Sequence, residues 1–102
     1  MDIVTKRESA YAQDIEARAA DELDPLVDWY SCYEQAGAIC EGAIHNVKTF
    51  ALKRELARNA VHYYDEALRA EGLETLGDAA AVKAYVSTIE KKMADLSKRV
   101  ES

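Results

Sequence analysis

Proline occurs once in these 102 residues and glycine four times, so the turn-rich composition of a β-sandwich or barrel is missing. Cysteine occurs twice, at Cys32 and Cys40, with no Cys-x-x-Cys pair and no zinc-finger spacing. On one helix those two residues stand eight positions and roughly 12 Å apart, too far for a disulfide with each other. No unbroken apolar run exceeds four residues, which excludes a membrane-spanning helix and a signal-peptide core, so a cytoplasmic protein is expected. A phosphate-cradling glycine loop and a serine nucleophile elbow are also missing. No cofactor is expected, and enzyme machinery of the usual kinds is not legible. Basic side chains are absent between Arg18 and Lys48.

What is present is alanine, eighteen times, in a chain that is 49% apolar and 31% charged. That composition favours helix. The length suits a single domain, here residues 1–102. The net charge of −6 is unevenly placed: residues 1–44 hold ten acids and three bases, whereas residues 45–102 are nearly balanced. Lys48, Lys53, Arg54 and Arg58 follow closely after the base-free stretch. Such a field disfavours DNA along the first half and favours a basic partner surface.

Hydrophobic spacing predicts an all-α bundle of three or four helices. Val4, Tyr11, Ile15, Ala19 and Leu23 mark one face of a first helix over residues 2–23. Asp24-Pro25 reads as the start of the next, with Asp as cap and Pro at the first helical position. From there Leu26, Tyr30, Tyr33, Gly37, Cys40, Ile44, Val47 and Ala51 form a seam in alternating four- and three-residue steps. Gly37 and Gly42 within it each cost about 1 kcal/mol relative to Ala, for which a close helix approach or a kink would compensate. Past Ala51 the apolar stripe rotates to Leu52, Leu56, Ala60, Tyr63, Tyr64, Ala67 and Leu68. Two readings fit: a long central helix over residues 25–71, continuous or kinked, or a break near residues 45–49 with Asn46 closing one helix and Thr49 opening another. The missing Gly and Pro tip the reading toward continuity. Asp78 is the expected cap of a last helix striped by Val82, Val86, Ile89, Met93, Leu96 and Val100. A continuous helix of about 45 residues, roughly 68 Å long, would leave a face uncovered, so a homodimer is expected.

Three sets of side chains are candidates for function. Trp29, Tyr30 and Tyr33 lie among Asp21, Asp24, Asp28, Glu34 and Glu41, a composition suited to a protein-contact hot spot steered by acids toward a basic surface. The expected function is therefore a small, non-enzymatic protein-binding module. Bacterial and phage-encoded antagonists of this size and charge, such as immunity proteins, antitoxins and anti-CRISPR inhibitors, occlude surfaces built to hold phosphate. A second set is Glu41, His45, His62 and Glu66, in which each histidine has a carboxylate four residues away. Helix-borne pairs of this kind can share a metal in a bundle, although the Glu-x-x-His spacing of di-iron bundles is absent. The third set is Arg58-Asn59-Ala60-Val61-His62-Tyr63-Tyr64, seven residues that resemble the motif of HEPN-type ribonucleases. That resemblance implies a helical dimer that binds or cleaves RNA, with Arg58, Asn59, His62 and Tyr64 at the cleft. His would act as acid or base and Arg would steady the phosphorane. The spacing between Arg58 and His62 is shorter than that family keeps.

Overall fold

The computed structural model describes residues 3–23 and 29–101, which form four packed α-helices and no strand. Helix α1 spans Ile3–Asp21, α2 Tyr30–Ala43, α3 Phe50–Arg69 and α4 Ala79–Glu101. Short 3-10 turns at Ile44–Asn46 and Leu73–Leu76 lie in the α2–α3 and α3–α4 connections. The all-helical expectation holds. The Asp24-Pro25 helix start and Asp28 fall outside the described residues, and α2 begins after Trp29, whose backbone is extended.

The long central helix is corrected: the chain breaks at residues 44–49, the second of the two readings. Val47 and Thr49 are extended, with ψ of 150° and 123°. No glycine or proline forces this, because the acceptor that stabilises the break comes from α1. One oxygen of Glu8 accepts the backbone N–H groups of Lys48 and Thr49 at 2.6 and 2.8 Å. Asn46 donates its side-chain amide to the Tyr11 hydroxyl at 2.8 Å. Two backbone donors left by the interrupted helix thus find a partner. Ile44 and Val47, both buried, draw the connection into the core. Thr49 precedes the first turn of α3 without a side-chain cap, and Lys53 N–H bonds its carbonyl at 3.0 Å.

Because of this break α2 and α3 fold back on each other instead of extending as one rod. The long uncovered helix behind the expected homodimer is not present in this fold. Helix α3 touches each of the other three. Its buried face, Leu56, Ala57, Ala60, Tyr64 and Ala67, takes four residues of the rotated stripe and adds Ala57. Opposite it, α2 contributes Ala36, Gly37, Cys40 and Ala43. Small residues on both sides let the axes approach closely. Ala51, expected on the seam, is instead exposed, because the register restarts at Phe50. Ala12, Ile15 and Ala19 of α1 and Ile89 and Leu96 of α4 are buried too. Asp78 caps α4 as expected, accepting the Ala81 N–H at 2.9 Å.

The fold is flat, with Cα extents of 52 × 31 × 15 Å. At the usual interaxial distance of about 8–10 Å, that thickness holds no more than two helix layers. Much of each helix therefore remains at the surface. None of the helices is long and apolar enough, over the described residues, to cross a membrane.

Candidate functional site

The aromatic cluster expected at the start of α2 exists and is partly consumed by the fold. Trp29 forms an isolated parallel bridge with Glu71, and the Tyr30 N–H donates to the Glu71 carbonyl at 3.1 Å. The indole lies on Gly72, where a Cβ would come within 2.8 Å of the ring. Gly72 has φ +98°, so only glycine fits without strain and with room for the ring. Tyr30 stands 6.0 Å from Trp29 and meets Tyr85 of α4 edge to face at 5.4 Å. The rings tie the start of α2 to the end of α3 and to α4. Trp29, Tyr30 and Tyr33 all remain half-buried, so each keeps some surface toward solvent.

The acids expected around these rings divide into two groups. Asp21 is exposed at the end of α1, while Asp24 and Asp28 lie outside the described residues. Glu34 and Glu41 are half-buried and serve as internal acceptors. The Tyr85 hydroxyl donates to Glu34 at 3.0 Å, and the Tyr64 hydroxyl donates to Glu41 at 2.8 Å. Burial, followed by the neighbouring carboxylate, pushes both tyrosine pKa values well up, so both hydroxyls stay protonated donors. Sequence spacing placed these two glutamates on a steering face, but their partners lie 51 and 23 residues away.

The residues of the ribonuclease-like motif do not converge within one chain. Arg58 and His62 are both exposed and share one face of α3 at four-residue spacing. Tyr64 points the other way. It is 0% exposed, bonded to Glu41, with its ring against Gly37 and Lys92 Nζ 5.6 Å from the ring centroid. Asn59 donates to Glu16 of α1 at 3.1 Å. The helical period separates Tyr64 from His62 by about 160°. Arg58 and His62 are therefore the pair that the surface can offer, and Tyr64 and Asn59 hold the fold.

The structure does not gather Glu41, His45, His62 and Glu66 either. Among the described residues no three His, Cys, Asp or Glu side chains stand together as they would around a metal ion. Glu41 is engaged by Tyr64 across the α2–α3 interface, while His45 lies in the 3-10 turn and His62 on the outer face of α3. Cys32 and Cys40 are free thiols, and Cys40 is buried, its pKa pushed up to about 11, mainly by burial and also by Glu16.

Comparison with known proteins adds no relative: no family model, curated sequence or solved structure matches this chain.

Proposed function

We propose that this chain is a small acidic binding module that works without catalysis, by covering a basic, nucleic-acid-binding surface of a partner protein as an inhibitor would. One observation carries the reading. The Trp29–Tyr30 pair, although braced by Gly72 and Tyr85, stays half-open, in a stretch where no basic residue occurs between Arg18 and Lys48. Half-open aromatic side chains with acidic neighbours suit a hot spot ringed by steering charge. Asp21, Asp24 and Asp28 are the steering acids, and Trp29, Tyr30 and Tyr33 the anchors. Glu34 and Glu41, engaged by tyrosines, support the helix that presents them.

The test is capture of partners by the tagged chain from lysate of its source cells, with and without nuclease, beside the Asp21→Lys/Asp28→Lys variant. The reading expects a stoichiometric protein that survives nuclease, is released by high salt and is lost from the variant. A partner retained equally by the variant removes these acids from the interface. RNA without a protein partner would instead turn attention to Arg58 and His62, and overturn the inhibitor reading.

A further inference from the structure

At the opposite end of α3, roughly 30 Å from Glu71 at 1.5 Å per residue, lies a concavity of about 340 Å³ lined by Ile44, His45, Phe50, Lys53, Arg54 and Arg99. It lies where the end of α4 meets the connection from α2 into α3, between the 3-10 turn after α2 and the start of α3. Among the described residues its lining holds Lys53, Arg54 and Arg99 and no carboxylate. In a chain with net charge −6, three cations converging on one hollow run against the overall balance.

Arg54 is held there by a ring. Its guanidinium carbon stands 5.0 Å from the centroid of Phe50, and its Nε is buried with no hydrogen-bond partner. Among the described residues no carboxylate pairs with Lys53 or Arg54, so an incoming anion breaks no ion pair of theirs. Phe50 is the one large hydrophobic side chain conspicuously exposed among the described residues, at 51%, and it sits in this lining. Together with Ile44 it gives the hollow an apolar wall beside the charged one.

From this juxtaposition we infer that the hollow is a binding site for a small phosphate monoester bearing a planar body, a mononucleotide being the plainest case. Lys53 and Arg54 take the phosphate, and Phe50 with Ile44 takes the ring. The volume lies within the range of small-molecule pockets, about 300–1,000 Å³. A small dianion fits better than a nucleic-acid strand. Its charge stays within a Debye length, about 8–10 Å, of Lys53 and Arg54, whereas a longer polyanion meets the acidic remainder of the surface.

Titration calorimetry of the full chain at low salt, with AMP, inorganic phosphate and adenosine as probes, tests the site. Saturable AMP binding is expected, with phosphate at least about tenfold weaker and adenosine not detected. Lys53→Gln and Arg54→Gln should each weaken AMP by about ten- to hundredfold, the usual loss for a charge-assisted hydrogen bond. If Arg54→Gln perturbs folding by circular dichroism, Lys53→Gln carries the comparison. Asp21→Lys/Asp28→Lys should leave AMP binding unchanged, which separates this site from the protein-binding surface. No saturable AMP binding up to about 10 mM, equal affinity for adenosine and AMP, or undiminished affinity in Lys53→Gln would each overturn the proposal.

Discussion

The ring of Tyr64 lies so close to the backbone of Gly37 that a Cβ there would stand 2.8 Å from both Cδ1 and Cε1. The ring has little freedom to retreat, because its hydroxyl is bonded to Glu41 and Lys92 stands near it. Gly37 is thus a point of close approach between α2 and α3. Gly42, five residues on, has nothing within 4 Å of its would-be Cβ. The two glycines therefore predict opposite outcomes. Gly37→Ala gains about 1 kcal/mol of helix propensity but incurs overpacking of about 1–3 kcal/mol, so a net loss of stability is expected. Gly42→Ala relieves the propensity penalty alone and should stabilise by about 0.5–1 kcal/mol. Urea denaturation of both variants checks the pair, and a stabilised Gly37→Ala would refute the close approach.

Two tyrosine–glutamate bonds cross between helices, Tyr64 to Glu41 and Tyr85 to Glu34. A hydrogen bond to a charged acceptor in a half-buried position contributes about 1.5–3 kcal/mol. Tyr64→Phe should lose about that amount, since it strands the Glu41 carboxylate and removes nothing else. Glu41→Gln keeps an acceptor and should cost less than Tyr64→Phe, whereas Glu41→Lys should cost more than either. Equal stability of Tyr64→Phe and the parent in urea would show that the bond adds nothing. These effects are also why partner-binding variants belong at Asp21 and Asp28 and not at Glu34 or Glu41.

Periodicity within one helix made the fold class legible, along with the buried Ile89 and Leu96 of α4, the Asp78 cap and the rotation of the stripe onto Leu56, Ala60 and Tyr64. Each of these depends on residues a few positions apart. What could not be read depends on residues far apart. The break after Asn46 is held by Glu8, forty residues from Lys48, so no local Gly or Pro announced it. Glu34 and Glu41 read as surface charge because Tyr85 and Tyr64 are invisible from their own helix. The basic hollow draws Arg99 to Lys53 and Arg54 only once α4 has packed along α3. Conversely, the histidines looked like metal ligands through spacing alone, and the fold sends them to separate places.

Glu8 and Glu16, one helix face apart on α1, should respond to acid with opposite signs. Backbone donation from Thr49, with lesser help from Lys48, holds the Glu8 carboxyl below its ordinary 4.5. Its stabilising effect is therefore complete above that value and lost as pH falls through the lower folded pKa. Burial first, and then Glu55, raise Glu16 above 4.5 despite the Asn59 bond. Its charged form therefore opposes folding above the folded pKa, and that penalty disappears as pH falls to the ordinary value. Glu8→Gln should be less stable than the parent at neutral pH. Glu16→Gln should be slightly more stable, by a fraction of a kcal/mol after solvent screening. The Glu16→Gln difference should vanish near about pH 3, where that carboxyl is protonated in either state, and the Glu8→Gln difference should shrink as pH falls. Urea midpoints at the two pH values decide it, and parallel curves for Glu16→Gln and the parent would contradict the burial argument.

Cys40 offers a readout of how tightly the α2–α3 interface closes. Its side chain is 0% exposed, and burial lifts its thiol to about 11, so thiolate is scarce at neutral pH. Cys32, a little over two turns earlier on α2, is only half-buried. In Cys32→Ser, a thiol-specific chromogenic reagent at about pH 8 should detect almost no reaction in the native state and one full thiol in denaturant. Since modification requires the interface to open, its rate should rise in Gly37→Ala/Cys32→Ser, where the close approach at Tyr64 is disturbed, and stay low in Gly42→Ala/Cys32→Ser. Rapid native modification of Cys40 in the Cys32→Ser background would mean that α2 and α3 do not hold the contact on which the fold depends.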